Sequence, residues 1–503
     1  MGLEKTNKNI VMAGLMIGTF LTAIEGTVVS TAMPKIVSDL QGIQLMNWVF
    51  SIYLLVSAVT TPIFGKLTDL FGRKAIFNIG VILFLIGSTL CGLSQSMGQL
   101  IFFRAIQGIG AGAIMPVSTT IIGDIYPPKK RASMLGLISM MWGIAGVAGP
   151  LVGGFFVDQV SWHWIFFINI PFGLITMLMI SLGLKETMEK EKKSIDYLGA
   201  ATFAVSIFSL LYALQKAGED RQWLTPGMIS LYVIFAVFLG LFILIERKAE
   251  DPIIPLELLR KRVIIIANFI ALLVSAILMG ANVYIPMWVQ GILGYSATNS
   301  GFVLTPMSLT WIFGSFLCSR LLITRGATFV SIIGTVIIII SSVWFTMLSV
   351  TSSQIQFYLI TAIEGIGCGL LITLCTVCVQ SSVSWKMRGA STASNMFFRN
   401  VGQTVGVAVM GTYFNSIVNS SVSSYNHSHN EKLSISQLNE LINPQNAVKL
   451  TNAIEHSLKE MLVSAIHDIF ILVLVLSIIA FIISFFLPRL EPEAEQEKER
   501  MAD

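Results

Sequence analysis

The chain has 503 residues, of which 54% are hydrophobic and only 12% are charged. A soluble domain carries about 25% charged residues, so this composition excludes a water-soluble globular protein. The net charge of +4 at pH 7 is small and does not indicate binding to nucleic acid.

The apolar residues recur in stretches of roughly 20, each long enough to cross about 30 Å of hydrocarbon as a helix. Helices are expected because no backbone polar group can stay unpaired in lipid. We therefore predict an all-α polytopic membrane protein with fourteen transmembrane helices. The predicted spans are 10–31, 46–65, 75–93, 99–122, 132–156, 164–184, 197–215, 226–245, 264–287, 299–320, 328–348, 354–379, 393–416 and 464–487.

The positions of Lys and Arg predict the orientation of the chain. One set of connections, which includes both termini, holds 24 of these residues, the alternate set holds 6, and Arg104 and Arg399 fall inside spans, which accounts for all 32. Cytoplasmic loops carry the excess of Lys and Arg. Both termini are therefore expected in the cytoplasm, and the short loops fit the inner membrane of a bacterial cell.

A repeat indicates two related halves. Residues 104–112 (RAIQGIGAG) and 361–369 (TAIEGIGCG) share six of nine positions, and 65–74 matches 319–328 more faintly. The offsets, 257 and 254, nearly agree, and repeated halves are usual in secondary transporters. Because this offset is too long for six spans, we predict two pseudo-symmetric six-helix bundles and two inserted helices.

The predicted domains follow from this repeat. They are an N-terminal bundle (1–190), two inserted helices with linkers (191–262), a C-terminal bundle (263–487) with a long extracellular loop (417–463), and an acidic cytoplasmic tail (488–503).

No feature predicts a cofactor, a metal site or an enzyme. The five cysteines lie in or beside spans, where free Cys behaves as a small hydrophobe. His427 and His429 in the long loop lack a third ligand. The chain contains no phosphate-binding loop and no nucleophile beside a base, so neither enzyme chemistry nor ATP-driven pumping is indicated.

The segment 65–74 (GKLTDLFGRK) joins the second and third spans and resembles the G-x-L-x-D-x-x-G-R-K signature of the major facilitator superfamily. Residues 104–110 resemble the family's fourth-span signature. The resemblance implies that the cytoplasmic segment latches the two halves together in one state and releases them in the other. Its gate residues would be Gly65, Asp69, Gly72, Arg73 and Lys74.

Residues 149–154 (GPLVGG) resemble the antiporter signature of the fifth span. Residues 162–173 (WHWIFFINIPFG) and 25–34 (EGTVVSTAMP) resemble motifs of the fourteen-span drug:proton antiporters of the EmrB/QacA type. The antiporter motif here comprises Gly146, Gly149, Pro150, Gly153 and Gly154. Its glycines are expected to allow close helix contact that prevents leakage, and Pro150 is expected to kink the helix.

Three positions depart from the family pattern. Glu25 stands where the subfamily usually has Asp, which keeps the carboxyl group. His163 replaces the arginine of the W-R-W triplet, and Ile323 stands at the place of Asp69 in the second copy of the loop signature. The last departure predicts that the two cytoplasmic loops act differently.

Glu25 and Glu364 are the two carboxylates predicted deep in spans. A charge there costs about 2.5 kcal/mol or more and needs a partner, water or a proton. Glu25 lies roughly 22 Å and Arg104 roughly 27 Å from the cytoplasmic ends of their spans, so the two could meet. We predict proton coupling by Glu25, Arg104 and Glu364, and a substrate cavity that includes Glu25, Glu364 and Gln107. The alternative is a permanent hydrogen-bonded plug between helices.

The function expected from this resemblance is proton-coupled export of lipophilic, cationic compounds by a monomer that rocks about a central cavity. The expected partners are small-molecule substrates and the lipid bilayer, with protons as the coupling ion. The alternatives are an exporter of one metabolite or lipid, and a facilitator without antiport.

Overall fold

The computed structural model describes residues 6–126, 128–186, 197–220, 225–249, 257–383, 388–428, 433–434, 437–438, 441–442 and 452–488. Regular structure within these residues is entirely helical. The helices are α1 (Lys8–Leu40), α2 (Met46–Phe71), α3 (Arg73–Gly92), α4 (Met97–Ile125), α5 (Pro128–Gln159), α6 (Trp164–Phe167), α7 (Asn169–Gly183), α8 (Tyr197–Asp220), α9 (Pro226–Glu246), α10 (Arg262–Met287), α11 (Ala297–Arg325), α12 (Ala327–Thr346), α13 (Gln354–Ser381), α14 (Arg388–Ser428) and α15 (Asn452–Ser484).

Short polar side chains mark the beginnings of several helices. Asn7 accepts a hydrogen bond from the N–H of Ile10 at the start of α1, and Ser96 and Ser296 cap α4 and α11 in the same way. Thr225 caps α9 just before Pro226. Such caps satisfy N–H groups that have no partner inside the helix, so each span begins at a defined residue.

Twelve helical segments in the described part of the chain are long and apolar enough to cross a membrane. One of them, Trp164–Gly183, combines α6 with α7. α8 and α14 are not among the twelve, since the apolar part of α8 covers only Leu198–Leu210 and α14 is rich in polar side chains. The protein is an all-helical, polytopic membrane protein, and the count of fourteen spans stays a prediction.

The connection predicted over 417–463 is shorter than expected. α14 continues to Ser428 and α15 begins at Asn452. With 41 residues, α14 is about 61 Å long, roughly twice the hydrocarbon thickness. α14 is therefore too long to lie entirely within the hydrocarbon of a membrane. The predicted acidic tail from 489 onward and the predicted boundary near 190 lie outside the described residues.

The helices alternate in direction between the two ends of the molecule. We call the end where α1 begins and α15 ends the proximal end, and the opposite one the distal end. α1 to α7 pack together as the N-terminal half, and α10 to α15 pack together as the C-terminal half. Contacts between the halves join α5 to α11, α2 to α14, and α1 to both α10 and α11.

The packing inside the two halves repeats residue by residue. A Cβ on Gly108 of α4 would come within 2.7 Å of the Tyr53 carbonyl oxygen in α2. Gly365 of α13 meets the Met307 carbonyl oxygen in α11 in the same manner. The two glycines are 257 positions apart and the two carbonyls 254, so the sequence repeat has a structural counterpart.

The turns between α2 and α3 and between α11 and α12 also correspond. Gly72 has φ of +88° and ψ of 150°, and Gly326 has φ of +82° and ψ of 169°. Residues with a side chain rarely adopt this backbone conformation, which explains glycine at both places. The faint similarity between 65–74 and 319–328 therefore reflects two turns of one shape.

α8 and α9 form a hairpin beside the line where α2 meets α14. The ring of Phe203 on α8 lies 5.1 Å from Phe242 on α9 and 5.1 Å from Phe397 on α14, measured between ring centroids. Leu55 of α2 belongs to the same apolar cluster. The hairpin is thus anchored to both halves.

Candidate functional site

A buried ion pair joins α1 to α4. The Arg104 Nη1 atom lies 2.5 Å from the Glu25 Oε1 atom, and the two side chains are 1% and 0% exposed. The contact expected from their predicted depths is therefore present. Removing one partner of such a pair leaves an uncompensated buried charge, which costs about 3–5 kcal/mol.

The second carboxylate oxygen of Glu25 also has a donor. Asn169, the first residue of α7, donates from Nδ2 to Glu25 Oε2 at 3.0 Å and lies 2.9 Å from the Ser88 hydroxyl. Ser88 in turn donates to the Phe166 carbonyl oxygen at 2.8 Å. Sequence reasoning missed Asn169 and Ser88, although Asn169 lies within the motif at 162–173. Both oxygens of Glu25 are satisfied by groups from the same half.

The guanidinium group of Arg104 has several further contacts in the N-terminal half. Its Nε donates to the Val49 carbonyl oxygen at 3.2 Å, and its Nη1 donates to Gln107 Oε1 at 2.9 Å. Its Cζ lies 4.1 Å from the centroid of the Tyr53 ring, a cation–π distance. Several groups of the N-terminal half thus fix the position of the Arg104 side chain in this conformation.

Glu364 on α13 has no such environment. Its side chain is 1% exposed, and neither carboxylate oxygen has a hydrogen-bond partner among the residues that the structure describes. An isolated carboxylate in an apolar interior is stable only when it carries a proton or binds a cation. Glu364 therefore needs a proton or a bound cation, whereas the buried carboxylate of Glu25 already has Arg104 as its counter-ion.

The repeat explains this difference. Glu364 occupies the position of Gln107, and Thr361 occupies the position of Arg104, since both are 257 residues further along the chain. The Thr361 hydroxyl donates to the Val303 carbonyl oxygen at 2.9 Å, a neutral contact between α13 and α11. The C-terminal half thus has an acid where its counterpart has an amide, and it lacks the arginine.

The predicted site residues therefore divide into two groups. Glu25, Arg104 and Gln107 lie together in the N-terminal half, whereas Glu364 lies in the C-terminal half. All four side chains are buried in this conformation. Their predicted roles in proton coupling and in a substrate cavity stay predictions.

At the proximal end, the gate motif is bound within the N-terminal half. Arg73 Nε lies 2.9 Å from Asp124 Oδ2 at the end of α4. The carboxylate of Glu186 accepts the backbone N–H groups of Arg73 at 3.0 Å and of Lys74 at 3.2 Å. The Lys74 ammonium donates to the Ser181 carbonyl oxygen at 2.5 Å. Sequence reasoning missed Asp124 and Glu186, which bind this segment.

The two glycines of the gate motif have different surroundings. Gly72 forms the turn between α2 and α3 described above, whereas a Cβ on Gly65 of α2 would have no neighbour within 4 Å. The side chain of Asp69 lies outside the part of the chain that the structure describes. Its predicted role as a latch between the halves stays a prediction.

Two glycines of the antiporter motif, Gly149 and Gly153, pack α5 against α1. A Cβ on Gly149 would collide with the Thr27 hydroxyl, and one on Gly153 would lie 2.7 Å from the Val28 carbonyl oxygen. The Thr27 hydroxyl donates to the Ala145 carbonyl oxygen of α5 at 3.2 Å. Close helix contact at these glycines, expected from the sequence, is present.

A neighbouring face of α5 meets α11 in the other half. A Cβ on Gly146 would lie 2.5 Å from the Ser308 hydroxyl, and one on Gly154 would collide with the backbone of Thr298. Gly301 of α11 likewise abuts the Pro150 carbonyl group. α5 passes Pro150 without interruption and lies between α1 and α11 with backbone-to-backbone contact on both sides.

Hydrogen bonds at the distal end close the seam between α2 and α14. Gln44 lies just before α2, and its side-chain Nε2 donates to Asn419 Oδ1 at 2.8 Å. The backbone carbonyl oxygen of Gln44 accepts a hydrogen bond from Asn415 Nδ2, also at 2.8 Å. The Tyr284 hydroxyl donates to Asn47 Oδ1 at 3.3 Å.

A further distal contact involves the π-helical turn after α10. Gln290 donates from Nε2 to the Thr31 carbonyl oxygen of α1 at 3.0 Å. The hydrogen bonds found between described residues of the two halves thus lie in the distal part of the molecule. We call this arrangement, in which hydrogen bonds join the halves on the distal side, the distal-closed conformation.

Comparison with known proteins agrees with this architecture. The family model described as the Major Facilitator Superfamily matches residues 15–407. The chain belongs to the Major Facilitator Superfamily. It is therefore a member of a family of membrane transporters, as its signature at 65–74 suggested.

Two similar curated relatives come from Bacillus subtilis (strain 168). The chain is 37% identical to "Multidrug resistance protein 3", over 81% of this chain and 80% of that protein. It is 36% identical to "Multidrug transporter protein MdtP", over 82% of this chain and 76% of that protein.

Solved structures of other transporters share the fold. A bacterial homolog to the human lysosomal transporter Spinster superimposes with a TM-score of 0.70 at 16% identity, covering 96% of this chain and 97% of the other. A D-xylose-proton symporter gives a TM-score of 0.60 at 13% identity, covering 97% and 99%.

Proposed function

We propose that this superfamily member is a proton-coupled antiporter that exports lipophilic, cationic drugs or other toxic compounds from the cytoplasm by alternating access. The observation that carries the proposal is the Glu25–Arg104 ion pair, which is buried between α1 and α4. The names of the two Bacillus subtilis relatives support drugs as the substrate class.

Protonation of Glu25 would have a mechanical consequence. A neutral Glu25 would leave the Arg104 charge buried without a counter-ion, and this state is costly unless the surroundings change. α1 and α4 meet at this pair, and α1 also touches the C-terminal half through α10 and α11. A proton on Glu25 would therefore favour a different arrangement of the two halves, which is the coupling that antiport requires.

Glu364 would act as the second exchangeable acid. Because it has no partner among the described residues, it would hold a proton in the distal-closed conformation. When the C-terminal half rearranges, the group could give up that proton and its negative charge would favour a cationic substrate. Glu25 would then serve coupling, and Glu364 would serve both coupling and attraction of cations.

The proposed architecture keeps the fourteen predicted spans, including α8 and α14, which are not among the twelve long apolar segments. α8 connects the proximal end of α7 to the distal beginning of α9, so it has to traverse the molecule. α14 packs along α10, which is itself a candidate span. The protein would be a monomer in the inner membrane of a bacterial cell with both termini in the cytoplasm.

The test is drug-induced proton movement in inverted membrane vesicles, followed with a pH-sensitive dye. Glu25→Gln should abolish the response to a cationic drug, and Glu364→Gln should reduce it. Glu246→Gln is the matched control, because Glu246 is also a buried carboxylate (3% exposed) but lies at the proximal end of α9, away from both sites. Its response should equal that of the wild type.

Normal proton movement in Glu25→Gln would remove the ion pair from the mechanism. If the wild type shows no proton movement when the drug is added, the protein is better explained as a metabolite exporter. Export that continues without a proton gradient would favour a facilitator.

A further inference from the structure

Asp158, near the distal end of α5, contacts the other half of the protein through backbone groups. Its Oδ1 atom accepts the N–H of Ala297 at 3.2 Å, and its Oδ2 atom accepts the N–H of Thr298 at 2.8 Å. Both groups belong to the first turn of α11. The Ser296 side chain accepts the next N–H, that of Asn299. A carboxylate of the N-terminal half therefore caps a helix of the C-terminal half.

This cap exists only while α5 and α11 touch. Gly154 lies one turn before Asp158 on α5 and meets the Thr298 backbone. One turn earlier still, the Pro150 carbonyl group meets Gly301 of α11. No long side chain lies between the two helices at these points. A small separation of the helices would therefore break both hydrogen bonds of Asp158, rather than stretch them gradually.

Charge distinguishes this contact from the rest of the distal closure. The other hydrogen bonds described between the halves join amides, hydroxyls and carbonyls. A carboxylate at a helix N-terminus also interacts favourably with the helix dipole, and this gain disappears when the groups separate. When the helices separate, the N–H groups of Ala297 and Thr298 also lose the Asp158 carboxylate as their acceptor.

A second acid at the distal end provides the comparison. Asp39 accepts the Trp162 indole N–H at 3.1 Å and forms an ion pair with Lys35 at 3.0 Å. Both partners belong to the N-terminal half. Asp39 therefore keeps these contacts whichever way the two halves are arranged.

We propose that Asp158 is the latch that holds the distal side closed: it caps α11 across the seam and shifts the equilibrium between the two orientations of the transporter. It is a positioning residue, since it acts on the arrangement of the halves and not on the transported compound. The proposal rests on alternating access, but its test needs neither a drug nor a proton gradient.

The experiment measures the distance between spin labels at the distal ends of the two halves in the full chain. Gln95→Cys between α3 and α4 and Ser423→Cys near the end of α14 are exposed positions for the labels, while the five native cysteines are buried. Asp158→Asn should raise the population with the longer distance about two- to tenfold, and Asp158→Ala should raise it further. Asp39→Asn and Asp39→Ala should leave the distribution as in the wild type.

An unchanged distance distribution in Asp158→Ala would overturn the proposal. So would an equal shift in the Asp39 variants, because it would indicate a general effect of distal charge. If the Asp158 variants do not fold, Gly154→Ala tests the same contact sterically and should also favour the longer distance. A transporter that shows the Asp158 effect but moves no protons would disprove the proposed coupling and leave the latch intact.

Discussion

Gln107 and Glu364 occupy equivalent positions in the two halves, but only Gln107 has an arginine beside it. The Arg104 guanidinium lies 2.9 Å from Gln107 Oε1, whereas Thr361 stands at the corresponding place next to Glu364. One half therefore contains its own cation, bound by Glu25. The other half contains an acid that needs a proton or an external cation. Two copies of one motif have thus acquired different electrostatic requirements.

Glu25 and Arg104 should depend on each other for stability. Arg104→Gln and Glu25→Gln should each lower the free energy of unfolding by about 3–5 kcal/mol, because each leaves one buried charge unpaired. The double variant should lose less than the sum of the two. Thermal or denaturant unfolding in detergent measures the three values as a double-mutant cycle. Simple additivity would show that the pair is not coupled.

Glu364→Gln should behave in the opposite way. The substitution replaces an unpartnered acid by the amide that its counterpart Gln107 already has, so stability should be unchanged or higher. The melting temperature in detergent at neutral pH tests this directly, with Glu25→Gln as the destabilised comparison. A large loss of stability in Glu364→Gln would mean that the carboxylate has an essential partner.

Alanine at the α5 glycines should disturb the packing on both sides. Gly149→Ala should lower the melting temperature and the export rate, because the new methyl group would meet the Thr27 side chain. Gly26→Ala on α1 is the control, since a Cβ there has no neighbour within 4 Å and alanine favours helix. Equal effects of the two substitutions would contradict a packing role for Gly149.

His163 should make stability depend on pH. Burial lowers the pKa of its imidazole from the usual value near 6.5, and the Asp39 carboxylate offsets this only in part. As the pH falls below about 6.5, the unfolded chain takes up a proton that the folded protein does not, so stability declines until the pH passes the lowered pKa. The melting temperature at pH 7.5 and 5.5 measures the decline.

His163→Gln should reduce this difference in melting temperature. The matched control is His456→Gln, because the side chain of His456 is 77% exposed. A decline in His163→Gln as large as in the wild type would assign the pH dependence to other groups.

Much of the fold could be predicted from apolar length and charge alternation. The meeting of Glu25 and Arg104 followed from depth, because spans of regular rise place residues at calculable levels. Asn169 and Glu186 could not be found in this way. Both are single polar residues near span ends, where such residues are common, and their partners lie 81 to 144 positions away.

α14, which was predicted as the span 393–416, is more polar than the candidate spans. Asn395 and Thr404 are buried against other helices, and such polar groups lower the average hydropathy without making the helix soluble. Because of the same polarity, 417–428 was predicted as part of a loop. These residues are helical, and Val418 and Val422 among them are buried. Tertiary contacts decided both points, and a single sequence does not contain them.

The α8–α9 hairpin makes the two sides of the transporter unequal towards lipid. It covers the seam where α2 meets α14, whereas apolar residues on α5 and α11, such as Trp142 and Phe313, are exposed. A separation of the two halves on the α5–α11 side would therefore open directly towards lipid, whereas the hairpin would keep the other side covered.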